Sequence, residues 1–494
     1  MIYPMTLLAK RNQSRLIRVG IVGATICMLP VVGLLMAKIH PAFVVGALVV
    51  PFGVLVATTR LELGIVAMLL AAFFVCFRIS TGTASEIVIS LMICLGCVAL
   101  WVFRMLVVEK RLALKPAVTN GPLVAFMVTV VVSWVWSRVF QDALVHEFGH
   151  PLVSVAAGVV MMLLPGCFLL VANNIRSVGW LQAIVWILIG EGLVVLAVDL
   201  GSTFGLGPAV ALRYFLRTNG LIGMNTHGLF SMWCLSFALS LALFDRRLHW
   251  CWRSLFLVYV AGFVYWGFFQ RITWLSGWVP AFVAAAVIVF LRSKKLFAIL
   301  MIVAILGAGG YYRRTAFESE TQESGVTRLA AYAVNWRVTG KHLLFGTGPA
   351  GYASYYMSYF PTEGMATHSN YIDILAQTGV VGTFFLLWFF GAQAWGGYRL
   401  CLELRGRGDF AESLAVAILA GTAGCVIAMA LGDWLLPFAY TQGIIGFDLA
   451  MFNWLFMGSL WALRYNMASA APATSKRLVV EVAPCEYTGD CPDV

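Results

Sequence analysis

Between Glu86 and Arg104 the chain reads IVISLMICLGCVALWVF, with no charge anywhere in it. A helix needs about 20 mainly apolar residues to cross the hydrocarbon of a bilayer, and comparable runs recur along almost the whole sequence. Only 11% of residues are charged and mean hydropathy is +0.89, where soluble domains carry roughly 25% charge. In lipid every backbone N–H and C=O must be satisfied within the protein, so a span is a helix or part of a closed barrel. Runs that stay apolar without alternating favour the helix. About fourteen spans are predicted on this length rule, at 18–37, 42–58, 62–79, 86–103, 122–138, 152–172, 179–199, 228–244, 254–270, 275–291, 296–312, 370–397, 411–431 and 446–463. The expected fold is an all-α integral membrane protein of about 12–14 transmembrane helices.

Basic residues set the orientation, because Lys and Arg gather in cytoplasmic loops. With the N-terminus inside, about two thirds of the 33 Lys and Arg fall in inner segments, and both termini are cytoplasmic. The net charge of +11 is then chiefly a topology signal. No basic stripe with interleaved aromatics points to nucleic acid. Most of the eleven cysteines lie in or beside spans, where Cys acts as a small apolar residue. Cys94 and Cys97 form a CxxC without a second pair, which is not the spacing of a metal site. The N-terminal segment lacks the short apolar core and cleavage site of a secretory signal, and the tail from 465 is small and polar.

One polar stretch breaks the pattern. Residues 313–369 join two apolar spans, far beyond the ~12–15 residues above which a loop is usually functional or disordered. It holds Arg313, Arg314, Arg328 and Arg337, then GTGPAGY, with Tyr332, Trp336, Tyr352, Tyr355, Tyr356, Tyr359 and Phe360. That aromatic content argues against disorder, so the expectation is a folded cap over an anion-binding site. Arg213 and Arg217 are also basic residues placed outside, against the topological trend; lipid headgroups are the plainer explanation for any one of them. Arg217 opens FLRTNGLIGMNTHG, whose Gly and Asn turns allow the backbone to dip toward the membrane. His368 stands just before the span at 370, in HSNYIDILAQTGVVG, with Asn370 placed to cap that helix. Gly379 and Gly382 follow at i, i+3 spacing, suited to close helix packing.

A rival motif is HEFGH, His146–His150. HExxH puts two His on one helix face with a Glu base, as zinc hydrolases require. It is similar to the motif of intramembrane proteases, but no companion Leu-Asp-Gly follows and Pro151 comes at once. Glu191 and Asp199 are costly charges in or beside lipid, with a functional or an ion-paired role open to each. Asp433, Tyr440 and Asp448 flank the last outer loop and are placed to close the site from the other side.

At these residues the chain resembles the O-antigen ligases and the related lipid-linked glycan polymerases. His368, Ser369, Gly379 and Gly382 match the ligase pattern His-[Asn/Ser/Gln]-x9-Gly-x2-[Gly/Thr/Tyr] in full. Arg217 and Leu221 match the shorter Arg-x3-Leu. Arg328, Trp336, Gly346, Gly348, Pro349 and Gly351 look like the family's loop signature. The likeness is sharp over 315–385 and weaker over 210–245, and the predicted helix count exceeds the twelve typical of ligases. The resemblance implies a multi-pass enzyme of the bacterial inner (cytoplasmic) membrane whose site faces the periplasm. It implies a metal-independent, inverting glycosyltransferase without a cofactor. The donor would be a glycan on undecaprenyl diphosphate and the acceptor lipid A–core or another glycan, with membrane lipids around the protein. His368 would be the catalytic base. Arg217 and Arg328 would bind the diphosphate, with Arg337, Arg213 and Arg314 as lesser candidates and Gly346 and Gly348 as the loop turn. The domain plan is a helix bundle at 1–312, a large periplasmic loop at 313–369, C-terminal helices at 370–464 and a flexible cytoplasmic tail at 465–494. A polymerase of lipid-linked repeats is the alternative, with a zinc protease or a lipid-linked glycan transporter less favoured.

Overall fold

The computed structural model describes residues 60–80, 86–146, 152–218, 229–267, 275–302, 326–361 and 367–470. The chain divides into two compact units, Met1–Gly64 and Ile65–Val494. Only residues 60–64 of the first are described. The spans expected at 18–37 and 42–58, and most of the one at 296–312, lie outside the described residues.

The helices in chain order are α1 (Leu61–Phe74), α2 (Ile89–Phe103, extended by a π turn, Arg104–Val108), α3 (Asn120–Val139), α4 (Leu152–Asn174) and α5 (Val178–Thr203). Next come α6 (Gly207–Thr218), α7 (Phe230–Phe244), α8 (Trp250–Tyr265) and α9 (Leu275–Arg292). The last five are α10 (Val326–Thr339), α11 (Gly351–Tyr359), α12 (Asn370–Leu404), α13 (Phe410–Leu431) and α14 (Gly446–Ala470). A short hairpin, Arg78–Ser80 paired antiparallel with Glu86–Val88, is the only sheet among the described residues. Six of these helices are long and apolar enough to cross a bilayer, and four shorter apolar helices accompany them among the described residues. The protein is an all-α integral membrane protein.

At the centre, α13 packs on α9, α7 and α12, while α14 packs on α4. Almost every residue of α7 is buried, as is α14 through Leu463 apart from Leu449. Small residues make this possible: a Cβ on Gly458 of α14 would sit 2.6 Å from the Phe168 carbonyl oxygen of α4, the close approach that membrane helices use in place of a hydrophobic drive. Toward the outside, α3 presents Val128, Val131 and Val135 and α12 presents Phe384, Leu387 and Trp388. Such faces are unremarkable when the surroundings are acyl chains.

Polar side chains bolt the helices together. Trp233 Nε1 donates to Asn453 Oδ1 at 2.7 Å, Trp461 Nε1 to Gln393 Oε1 at 2.8 Å and Ser240 Oγ to the Ser413 carbonyl at 2.6 Å. Each contributes only ~0.6 kcal/mol on average, so these bonds fix register more than they add stability. Glu191, buried in α5, has no hydrogen-bond partner for either carboxyl oxygen among the described residues. Asp199 near the end of α5 lies 3.7 Å from Arg213 of α6.

Candidate active site

The site is assembled at the end of the bundle where α12 begins and α13 ends. Ser369 is the residue at which α12 starts, and its side chain does not cap the helix. Ser369 Oγ instead donates to the Met429 carbonyl of α13 at 3.3 Å. Asn370 is not a cap either, because it is already the first helical residue. Its Nδ2 donates to the Leu436 carbonyl at 2.6 Å, and its Oδ1 accepts the N–H groups of Leu435 and Leu436. The turn 433–436 is held from the other side as well: Asn453 and Trp454 of α14 donate to the carbonyls of Trp434 and Leu435. Two segments far apart in sequence are thereby fixed side by side.

His368 occupies that junction with φ 48°. A non-glycine residue held there costs about 1–3 kcal/mol and persists only where its surroundings impose it. Thr367 supplies part of the constraint, donating to Asp373 and accepting the Ser369 N–H at 3.4 Å. The imidazole is 46% exposed, and its Nδ1 lies 3.7 Å from Oδ1 of Asp433, which is 3% exposed. Thr441 donates to the other carboxyl oxygen. Burial pushes the Asp433 carboxyl up, but His368, the Thr441 hydroxyl and its own backbone N–H outweigh burial and hold it below the usual carboxylate range. Asp433 therefore stays ionised at neutral pH and presents a fixed negative charge to one ring nitrogen, leaving Nε2 for other partners.

The glycines of the loop explain how the cap is seated. α12 is broken at Gly379, with φ 67° and ψ −169°. The break releases backbone groups on either side, and the GTG turn takes them up. Val380 N–H donates to Leu343 O at 2.8 Å, while Thr347 and Gly348 N–H donate to Ala376 O and Gln377 O at 2.8 and 3.0 Å. Gln377 Oε1 accepts the Ala350 N–H, and Ser133 Oγ of α3 reaches the Phe345 and Gln377 carbonyls at 2.5 Å. A Cβ on Gly346 would stand 2.6 Å from Gln377 O, and one on Gly379 would stand 2.6 Å from Leu343 O. The i, i+3 pair Gly379 and Gly382 does not form a shared packing face, because Gly379 leaves the helix; Gly382 alone approaches Thr129 of α3. Gly348, at φ 83°, is pressed against Ser137 of α3. Gly379→Ala is expected to destabilise the protein by about 3 kcal/mol, from backbone strain and the blocked carbonyls together. A thermal unfolding curve in detergent that matches wild type would show that the break tolerates a side chain.

Above this seat, α10 and α11 form a small core. Val334 and Val338 of α10 pack with Tyr352, Tyr355 and Tyr356 of α11, Ala376 of α12, Val145 and Phe438. Phe438 lies five residues beyond Asp433, so α10 is packed on both elements that carry the His368–Asp433 pair. Arg328 lies less than two turns N-terminal of Val334 on α10. It is half-buried, and its Nε is enclosed with no hydrogen-bond partner among the described residues. A second contact ties the cap to the segment that follows α3: Tyr359 OH donates to Asp142 Oδ2 at 2.6 Å, and Asp142 N–H donates to Tyr355 OH at 3.2 Å.

The remaining expected residues are dispersed. Arg337 is exposed, with its guanidinium 5.8 Å above the Phe360 ring. Arg213 is engaged with Asp199. Arg217 is exposed at the end of α6, a helix with no buried residue that packs on α5. No described contact joins Arg217 to His368 or Arg328. Arg313, Arg314 and Leu221 lie outside the described residues, as do Glu147–His150 of the HEFGH motif. His146 is exposed, and its backbone N–H donates to Ser358 of α11 at 3.0 Å. Of the three residues around the turn between α13 and α14, Asp433 meets His368, Tyr440 packs on Phe438, and Asp448 turns away to accept from Ser90.

Residues 252–387 match the family described as O-antigen ligase. The match runs from α8 into α12. It takes in Arg328, the GTG turn, His368, Gly379 and Gly382, and leaves Arg217 and Asp433 outside. A comparison with curated proteins finds no relative. The chain is thus an all-α integral membrane protein that carries an O-antigen ligase-related domain over residues 252–387.

Proposed function

We propose that the protein transfers a glycan from undecaprenyl diphosphate to an acceptor hydroxyl at the periplasmic face of the bacterial inner membrane, as an O-antigen ligase does with lipid A–core. The observation that carries this reading is His368, held in a strained conformation with one ring nitrogen against the buried Asp433. Nε2 of His368 takes the proton of the acceptor hydroxyl as its oxygen attacks the anomeric carbon. The bond from that carbon to the diphosphate oxygen breaks, and its electron pair leaves with the diphosphate. A single displacement inverts the anomeric centre. Asp433 orients the ring and offsets the charge of the imidazolium that forms, the role an orienting carboxylate plays in acyl-transfer triads.

Charge developing on the diphosphate calls for guanidinium groups, which bind phosphate oxygens in a fork. Arg328, whose enclosed Nε has no hydrogen-bond partner among the described residues, supports that assignment best. Arg217 is assigned to the diphosphate on the strength of the Arg-x3-Leu pattern, with Arg337, Arg213 and Arg314 as lesser candidates. No metal is required when arginines supply this charge. In this reading residues 313–369 are the periplasmic cap, between bundles at 1–312 and from 370 onward, and the cytoplasmic tail expected from 465 begins only after α14, which runs to Ala470.

Asp433→Asn is expected to lower the turnover rate by roughly 10²- to 10⁴-fold with little change in KM for the donor. An unchanged rate would remove Asp433 from the mechanism. The function itself is tested with purified protein in lipid, given undecaprenyl-diphosphate-linked glycan with and without lipid A–core. Whole-glycan transfer to lipid A–core supports the ligase, and ladder growth without that acceptor makes the protein a polymerase. Donor that stays intact in both mixtures contradicts the proposal.

A further inference from the structure

At the end of the bundle opposite His368, α7 and α12 end, α8 and α13 begin, and α14 runs out. Between them lies a cavity of about 540 Å³ whose polar lining is Gln182, Asp245, Arg247, Arg407, Asp409 and Asn466. The transfer chemistry uses none of these residues. The two turns that form its walls are locked together, since the Arg246 N–H donates to the Gly408 carbonyl at 3.0 Å.

One wall favours an anion. Arg407 Nε and Nη2 both donate to Asp409 Oδ2 at 3.0 Å, and Arg247 Nη2 lies 3.7 Å from the same oxygen. The other oxygen of Asp409 accepts the Glu412 N–H at 3.2 Å and caps α13. Glu412, in the first turn of α13, turns its carboxylate onto the Gly406 and Gly408 N–H groups at 2.9 and 2.7 Å. Of these two carboxylates Asp409 is therefore the one that pairs with the guanidinium groups, and the positive end of the helix offsets part of the acidic charge. The Arg247 side chain is 73% exposed and that of Arg407 45% exposed, so donors of both forks remain accessible.

The other wall has the reverse character. Asp245 is the residue at which α7 ends, and a helix C-terminus favours a cation. It is 5% exposed, and its carboxylate accepts the Arg247 N–H at 3.0 Å. A simple anion such as inorganic phosphate would meet this carboxylate unfavourably. A ligand with both charges satisfies both walls.

We propose that this cavity binds a phosphate ester that carries an ammonium group, with the phosphate on Arg247 and Arg407 and the ammonium on Asp245. This is the headgroup chemistry of an ethanolamine phospholipid, and equally that of a soluble aminoalkyl phosphate. The inference stands apart from the transfer reaction at the other end and does not depend on it.

The test uses the full chain, purified and stripped of lipid in detergent. It is titrated with a short-chain ethanolamine phospholipid, the matching glycerol phospholipid and soluble phosphoethanolamine, with adducts counted by native mass spectrometry. The ethanolamine lipid is expected to bind at least ~10-fold more tightly than the glycerol lipid, the size of one charge-assisted hydrogen bond. Arg247→Gln, at an exposed position, should weaken both lipids by about 10-fold without lowering the unfolding temperature. Asp245→Asn should abolish the preference between headgroups while keeping the phosphate contact. If soluble phosphoethanolamine binds as well as the lipid, the ligand is a soluble metabolite; if only the lipid is retained, it is a headgroup. Equal binding of the two lipids by the wild-type protein, or no binding of any ligand, overturns the proposal. So does wild-type behaviour in both variants.

Discussion

Replacing His368 with alanine is expected to lower glycan transfer by ~10²- to 10⁴-fold, the usual contribution of a positioned general base. The protein should still insert and purify normally, for reasons visible in the structure. The imidazole is nearly half exposed, so little apolar burial is lost. Asp433 keeps its hydrogen bond from Thr441, and the turn it sits on stays fixed by Asn370, Asn453 and Trp454. An alanine at φ 48° bears much the same strain as the histidine it replaces. Activity and stability should therefore separate cleanly. Normal glycan attachment by a folded His368→Ala protein would falsify the general-base assignment. His368→Gln, which retains a polar side chain without the basicity, should be as inactive as the alanine variant.

Arg328→Lys is expected to be nearly as damaging as Arg328→Ala, each costing about 10- to 100-fold in transfer. Geometry rather than charge sets the size of the loss. A guanidinium offers five donors in a planar fork that matches phosphate oxygens, whereas an ammonium is a point charge on a flexible stem. Each hydrogen bond to a charged group is worth ~1.5–3 kcal/mol, so loss of the fork alone reaches the predicted range. The half-buried setting of Arg328, with Nε enclosed on α10, leaves a lysine little room to compensate. The loss should appear in kcat more than in KM, since the charge to be met grows as the diphosphate departs. Full activity of the lysine variant would mean that positive charge is enough.

The spans were legible because the length and continuity of apolar runs are local properties. The helices at 120–139, 152–174, 178–203 and 410–431 fall close to the ranges read from hydropathy. The span expected at 62–79 is shorter in the structure, because Arg78–Ser80 forms a strand of the hairpin instead. His368 stood out from its pattern and its place before a span. Its partner did not, because Asp433 is 65 positions away and meets it only through the bolt that Asn370 makes to 435–436. Its position beside the last loop expected to lie outside was the one available signal. Gly379 reads as a packing glycine in the sequence, since nothing local reveals that carbonyls from 343–344 occupy the space a side chain would need. The pairing of Arg213 with Asp199 was equally hidden, as it depends on how α6 folds back on α5.

In the proposed mechanism the His368–Asp433 pair and arginines drive transfer without a metal. Its most direct test is the rate of glycan transfer by purified protein in lipid, measured in excess EDTA and again after zinc is restored. The rate should be the same in both. Transfer that stops in EDTA and returns with zinc would contradict the mechanism and direct attention to His146, Glu147 and His150.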